Sequence, residues 1–68
     1  MANSEISRLV AMANDIAANL SFHADADVRI ADHIKRFWAP RMRKLLLEHG
    51  AGNAGDMSKV LLSALKLL

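Results

Sequence analysis

From residue 4 to 20 the apolar positions Ile6, Leu9, Val10, Ala13, Ile16, Ala17 and Leu20 return at steps of three and four. That spacing predicts an amphipathic helix with one buried stripe. Asn3 or Ser4 can cap its first amides, and Glu5 falls in the first turn, where the helix dipole favours negative charge. Asn14, Asp15 and Asn19 fall on the opposite face or its flanks. The stripe breaks over residues 21–26, where Phe22 is placed to fold back over the junction between helices. Asp25 offers an N-cap for a second helix and Asp27 an acid in its first turn. This helix runs to Phe37 or Trp38, with Ile30, Ile34, Phe37 and Trp38 along one side and Ala31 between them. Asp25 with Arg29, and Asp32 with Arg36, are i,i+4 pairs with the acid first, each worth about 0.2–0.5 kcal/mol.

Pro40 ends that pattern. It has no amide proton to give the carbonyl of Arg36, and it disfavours helical backbone at Ala39. The chain is predicted to stop one helix near Trp38 and start another with Pro40 as its first residue. Met42, Leu45, Leu46 and His49 form the inward stripe of this third helix, with Leu47 at its edge. Gly50 is expected just past its C-terminus, opening a break that extends to Gly55. Asp56 is the expected cap of a last helix, running from Met57 to about Leu67. Its stripe is Met57, Val60, Leu61, Ala64, Leu65 and Leu68, widened by Leu62 and Leu67. No segment alternates as a strand would, and no repeat is visible. The prediction is a single small all-α domain over residues 1–68, of three to four short helices with a Pro40 bend. They either pack as a small bundle or splay over a partner.

Size bears on that choice. A domain of 68 residues buries only about 60% of its unfolded surface and is marginally stable. The chain has no cysteine, so disulfides and thiolate metal sites are not available as staples, and docking on a partner is a common substitute. The residues at the N-terminus lack the basic region of a secretory signal. No segment reaches the roughly 20 apolar residues of a membrane span. The reading is a soluble, cytoplasmic protein.

The candidate chemistry is narrow. Without cysteine, and with its serines in cap or surface positions, the chain presents no nucleophile–base set, so no catalytic residue is assigned. Gly50, Gly52 and Gly55 follow a helix and lack the Lys-Ser/Thr of a phosphate loop. His23, Asp25, Asp27, His33 and His49 are the conceivable metal ligands, but capping explains the aspartates, and Asp32 and His33 point about 100° apart on a helix. No metal and no cofactor is assigned to this chain.

What remains is the elbow. Lys35, Arg36, Arg41, Arg43 and Lys44 crowd around Phe37-Trp38-Ala39-Pro40, and positions 33 to 47 contain no acid. Two solvated helix faces would account for the charges. A docking patch accounts for the charges and the rings together: arginine pairs bidentately with carboxylate or phosphate, and Trp and Arg are enriched among interface hot spots. A Trp in the last turn of a short helix is also expected to be incompletely covered in so small a chain. The candidate partner-binding residues are therefore Arg36, Phe37, Trp38, Pro40, Arg41, Met42 and Arg43.

Met-Ala-Asn-Asp-Ile-Ala at residues 12–17, Ile-Ala-Asp-His-Ile-Lys-Arg-Phe-Trp-Ala-Pro-Arg-Met-Arg at residues 30–43, the Gly/Ala-rich turn and the Leu-rich end together resemble a known family. It is the delta subunit of NAD-dependent molybdenum or tungsten formate dehydrogenases. The most specific part is His33 to Arg43. Where that family's pattern carries Asp before the proline, this chain has Ala39, which removes a capping side chain from the third helix. The resemblance implies an accessory subunit without a cofactor of its own. It would bind the large catalytic subunit, with molybdopterin, iron–sulfur clusters, FMN and NAD held by partner subunits.

Two other classes compete. A small basic helical nucleic-acid-binding module would use the third helix, against a net charge of only +2; the reading is that no nucleic acid is bound. A membrane-surface helix would use residues 57–68, but Lys59 and Lys66 alone decorate its polar side, and no membrane is expected either.

Overall fold

The computed structural model describes residues 5–52 and 55–68. Four helices follow in order: α1 (Glu5–Leu20), α2 (Ala26–Phe37), α3 (Pro40–Gly52) and α4 (Lys59–Leu65). The expected caps Asn3 and Ser4 lie outside the described residues. Each of α1 and α4 packs against every other helix, whereas α2 and α3, consecutive in the chain, barely touch. The radius of gyration is 11.0 Å, matching the roughly 11 Å expected of a folded chain this long. Of the two predicted arrangements, it is the bundle that forms.

The core is wholly apolar among the described residues. Leu9, Val10, Ala13 and Ala17 enter it from α1, Ile30, Ala31 and Ile34 from α2, Leu46 from α3, and Leu61, Ala64 and Leu65 from α4. Alanines at the contact positions let helices approach closely, so the large fully enclosed side chains are just Ile30, Ile34, Leu46 and Leu61. Asp25 Oδ1 lies 2.7 Å from Arg29 Nε, and Asp32 Oδ2 lies 2.9 Å from Arg36 Nε, as the i,i+4 spacing predicts.

Several local expectations are corrected. Asp25 occupies the N-cap position of α2, but its carboxylate makes no cap bond and turns to Arg29 instead. Phe22 does not plug the junction; it is 79% exposed, with its ring 4.2 Å from that of His23. Gly50 does not end α3, which continues to Gly52. Its φ is not positive, and its role is space: a Cβ there would lie 2.8 Å from Leu65 Cδ1. Helix α4 is shorter than predicted because Ser58, not Asp56, caps it, accepting from the Leu61 amide at 3.3 Å.

Asp56 and Asn14 have other work. The Asn14 side chain, expected away from the core stripe, reaches the loop before α4. It donates to the Asp56 carbonyl at 2.8 Å and accepts from the Ser58 amide at 3.0 Å. Both ends of one amide thereby tie α1 to the start of α4. His49 Nε2 lies 3.1 Å from both carboxylate oxygens of Asp56, closing the same loop from the α3 side.

Candidate docking site at the proline elbow

The elbow is made by backbone preference on both sides of Ala39. Helix α2 closes with the Trp38 amide donating to the Ile34 carbonyl at 2.9 Å. Trp38 then leaves the helix in extended conformation, φ −96° and ψ 138°. The Ala39 carbonyl accepts from the Arg43 amide at 3.1 Å and starts α3, so Ala39 takes the N-cap position with no side chain able to cap.

That geometry separates the two neighbouring rings. Trp38 is only 6% exposed and belongs to the core, correcting the expectation that it would be incompletely covered. The extended residue turns its indole into the core cluster. Phe37, still helical, points outward and is 71% exposed, which corrects its assignment to the buried side of α2. Its ring packs at a tilt against that of His33 one turn earlier, with centroids 4.7 Å apart.

Phe37 forms a ridge between two shallow hollows. On one side lies a depression of about 420 Å³ lined chiefly by Met12, Ile16, Trp38 and Met42, with His33 and Asp15 at its edge. On the other is a hollow of about 290 Å³ bounded by Leu20, Arg29, Asp32 and Arg36. Met12 is 47% exposed, so a ring and a thioether stand open to water on one continuous face. Met12 was not singled out from the sequence. It lies off the α1 stripe, and only the arrival of α2 beside it reveals the patch.

The guanidinium groups do not fan out together. Arg36 pairs with Asp32, and Arg41 forms a two-pronged bridge with Glu5, both N–O distances being 2.8 Å. The Arg41 hydrogen bonds hold the Glu5 carboxyl below its ordinary value, with desolvation opposing them. The bridge spans 36 positions, and nothing in the local pattern signals it. Arg43, with Pro40, instead faces a groove on the far side of the elbow, beside Lys35 and Lys44. The structure thus brings Phe37, Trp38 and Met42 together and sends Arg36, Arg41 and Arg43 to three separate places.

No group of three or more His, Asp or Glu among the described residues is arranged to hold a metal ion. His23 packs against Phe22, His33 against Phe37, and His49 meets Asp56. No helix among the described residues is long and apolar enough to cross a membrane.

Among the described residues, fold and surface define a small four-helix bundle with Phe37, Met12 and Met42 on one face of its proline elbow. The family model of the NADH-dependent formate dehydrogenase delta subunit, FdsD, matches residues 8–65. The chain belongs to that family, and as a subunit of a formate dehydrogenase complex it has partner subunits. No curated protein and no solved structure matches it.

Proposed function

We propose that this chain is a non-catalytic accessory subunit of a cytoplasmic NAD-dependent formate dehydrogenase, docking on the large catalytic subunit and supporting its assembly or stability. Formate oxidation then runs on the partner subunits, which carry molybdopterin, iron–sulfur clusters, FMN and NAD. Membership of the delta-subunit family supports the complex, and the observation that carries the docking face is Phe37, an aromatic 71% exposed beside a half-exposed methionine. Covering a phenylalanine ring is worth about 1.5–3 kcal/mol, and interfaces are enriched in aromatic residues and methionine. Methionine adapts its shape to an irregular partner surface. Within the predicted docking set Phe37 and Met42 make the contact, while Trp38 and Pro40 hold the elbow that presents them.

Phe37→Ala tests the reading. It leaves the helical circular dichroism of the chain unchanged, and the delta chain no longer co-purifies with the formate dehydrogenase complex. Co-purification at unchanged stoichiometry would end the proposal.

A further inference from the structure

The elbow has a second face. Three cations, Lys35 from α2 and Arg43 and Lys44 from α3, line a groove of about 300 Å³ floored in part by Leu47 and Leu68. Glu48 is the one carboxylate among the residues lining it. Lys35 also lines a hollow of about 280 Å³, together with Val28 and Leu67, which are 53% and 43% exposed, and with Asp32, whose carboxylate is paired with Arg36. None of its lining residues is shared with the Met12–Met42 depression. Helix geometry explains the separation: Lys35 lies about 200° around α2 from His33, and Lys44 about 200° around α3 from Met42.

A contrast within the chain carries the inference. Arg29, Arg36 and Arg41 each meet a carboxylate of this chain. Lys35, Arg43 and Lys44 have no ion pair among the described residues. Arg8, Lys59 and Lys66 are likewise without an ion pair among the described residues, but they lie apart from this groove, whereas Lys35, Arg43 and Lys44 converge around a floor that is partly aliphatic.

We propose that this groove is a second docking surface, distinct from the Phe37 face, and that it takes an acidic segment of a neighbouring polypeptide. Carboxylates of that segment pair with Arg43, Lys44 and Lys35, the arginine bidentately. An aliphatic side chain of the same segment covers Leu68 or the Val28–Leu67 hollow. A single-stranded nucleic acid fits less well, because such sites stack bases on aromatic rings and both phenylalanines lie away from this groove. The inference rests on the reading that the chain is docked in its complex, yet it concerns the opposite side of α2. With both faces occupied, the elbow is gripped from two sides.

The test is carbodiimide coupling of the purified complex, which joins a lysine amine directly to a carboxylate already in contact with it, followed by peptide mass spectrometry. Lys35 and Lys44 give adducts with Asp or Glu of another chain, and Lys59 and Lys66 do not. The triple variant Lys35→Glu, Arg43→Glu, Lys44→Glu binds the complex at least about tenfold more weakly at low salt, a difference that shrinks as salt is added. Absence of interchain adducts at Lys35 and Lys44, or adducts equally frequent at Lys59 and Lys66, overturns the groove. So does retention of the chain on single-stranded RNA that the triple variant abolishes. If the delta chain is missing from the purified complex, it is the docking reading itself that fails; if it is present without adducts, only the groove does.

Discussion

Helices α2 and α3 have nearly equal lengths, 12 and 13 residues, and both carry an apolar stripe and several cations. Helix α2 nevertheless submerges Ala26, Ile30, Ala31 and Ile34, while α3 submerges Leu46 alone and leaves Met42, Leu45 and Leu47 partly open. Neighbours make the difference. Helix α2 packs extensively against α4 and also against α1, whereas α3 packs less on α4, where Gly50 meets Leu65, and is tied to α1 at its start by Arg41. An apolar stripe shows that a helix wants covering without showing who covers it. In α2 the chain covers itself; in α3 much of the stripe stays partly open, and the Met12–Met42 depression and the Lys35–Lys44 groove both open beside it.

The largest expected effect lies where the embedded helix ends. Trp38→Ala removes a side chain that is 6% exposed and costs about 3–5 kcal/mol. Total stability for a chain of this length is roughly 3–10 kcal/mol, so the variant melts far below the unsubstituted chain or fails to fold. Leu45→Ala on α3, half-buried from the start, costs about half as much or less. Thermal melts followed by circular dichroism check the pair. Equal losses would mean that α3 is as deeply embedded as α2, and the comparison would break.

Asn14→Ala comes next. It removes two hydrogen bonds between α1 and the loop before α4, at about 0.5–1.5 kcal/mol each. Urea unfolding reads the loss directly. Asn14→Asp keeps the acceptor for Ser58 and loses the donor to Asp56, so it recovers only part of it. Full recovery by Asp would show that the Ser58 bond alone matters.

These residues also mark how far the sequence was legible. Helical periods placed all four helices, because each stripe is a local pattern, and Pro40 placed the elbow, because its constraint acts on the adjacent residue. The roles of Asn14 and Glu5 were not legible, since each acts through a partner more than 35 positions away. Gly50 misled for a related reason: a glycine late in a helix signals an end, and only the approach of Leu65 shows that it makes room. At the candidate site, composition located the cluster, but a single extended residue decided which of two adjacent rings faced the core.

Gly50→Ala is a smaller probe of the same contact between α3 and α4. Replacing a helix-interior glycine contributes about 0.5–1 kcal/mol of stability, while displacing Leu65 Cδ1, 2.8 Å from the new Cβ, costs about 0.5–1.5 kcal/mol in rotamer strain. The net change is within about 1 kcal/mol of zero. Gly52→Ala meets no atom within 4 Å, so its melting midpoint lies at or above that of Gly50→Ala. The reverse order would show that Leu65 yields freely and that α3 is held there less tightly than its closeness suggests.

The smallest effect concerns how the exposed start of α3 is tied down. Arg41 donates to both Glu5 oxygens at 2.8 Å, and those hydrogen bonds lower the Glu5 pKa from its ordinary 4.5. A carboxyl with a lowered folded-state pKa contributes its full stabilisation above the unfolded value, and the contribution is lost as pH falls through the folded one. The tie is therefore fully present at neutral pH, and its contribution declines as pH falls from 4.5 through the lower folded-state pKa. Both side chains are well exposed, 70% for Arg41 and 49% for Glu5, so solvent and salt screen the pair and its contribution is slight. The melting midpoint of Glu5→Gln lies just below that of the unsubstituted chain at about pH 7, and the gap closes as pH falls below 4.5 and through the lowered folded-state pKa. Added salt narrows the gap at neutral pH as well. A gap that survived both acid and salt would come from something other than this ion pair, and α3 would then be anchored to α1 by packing alone.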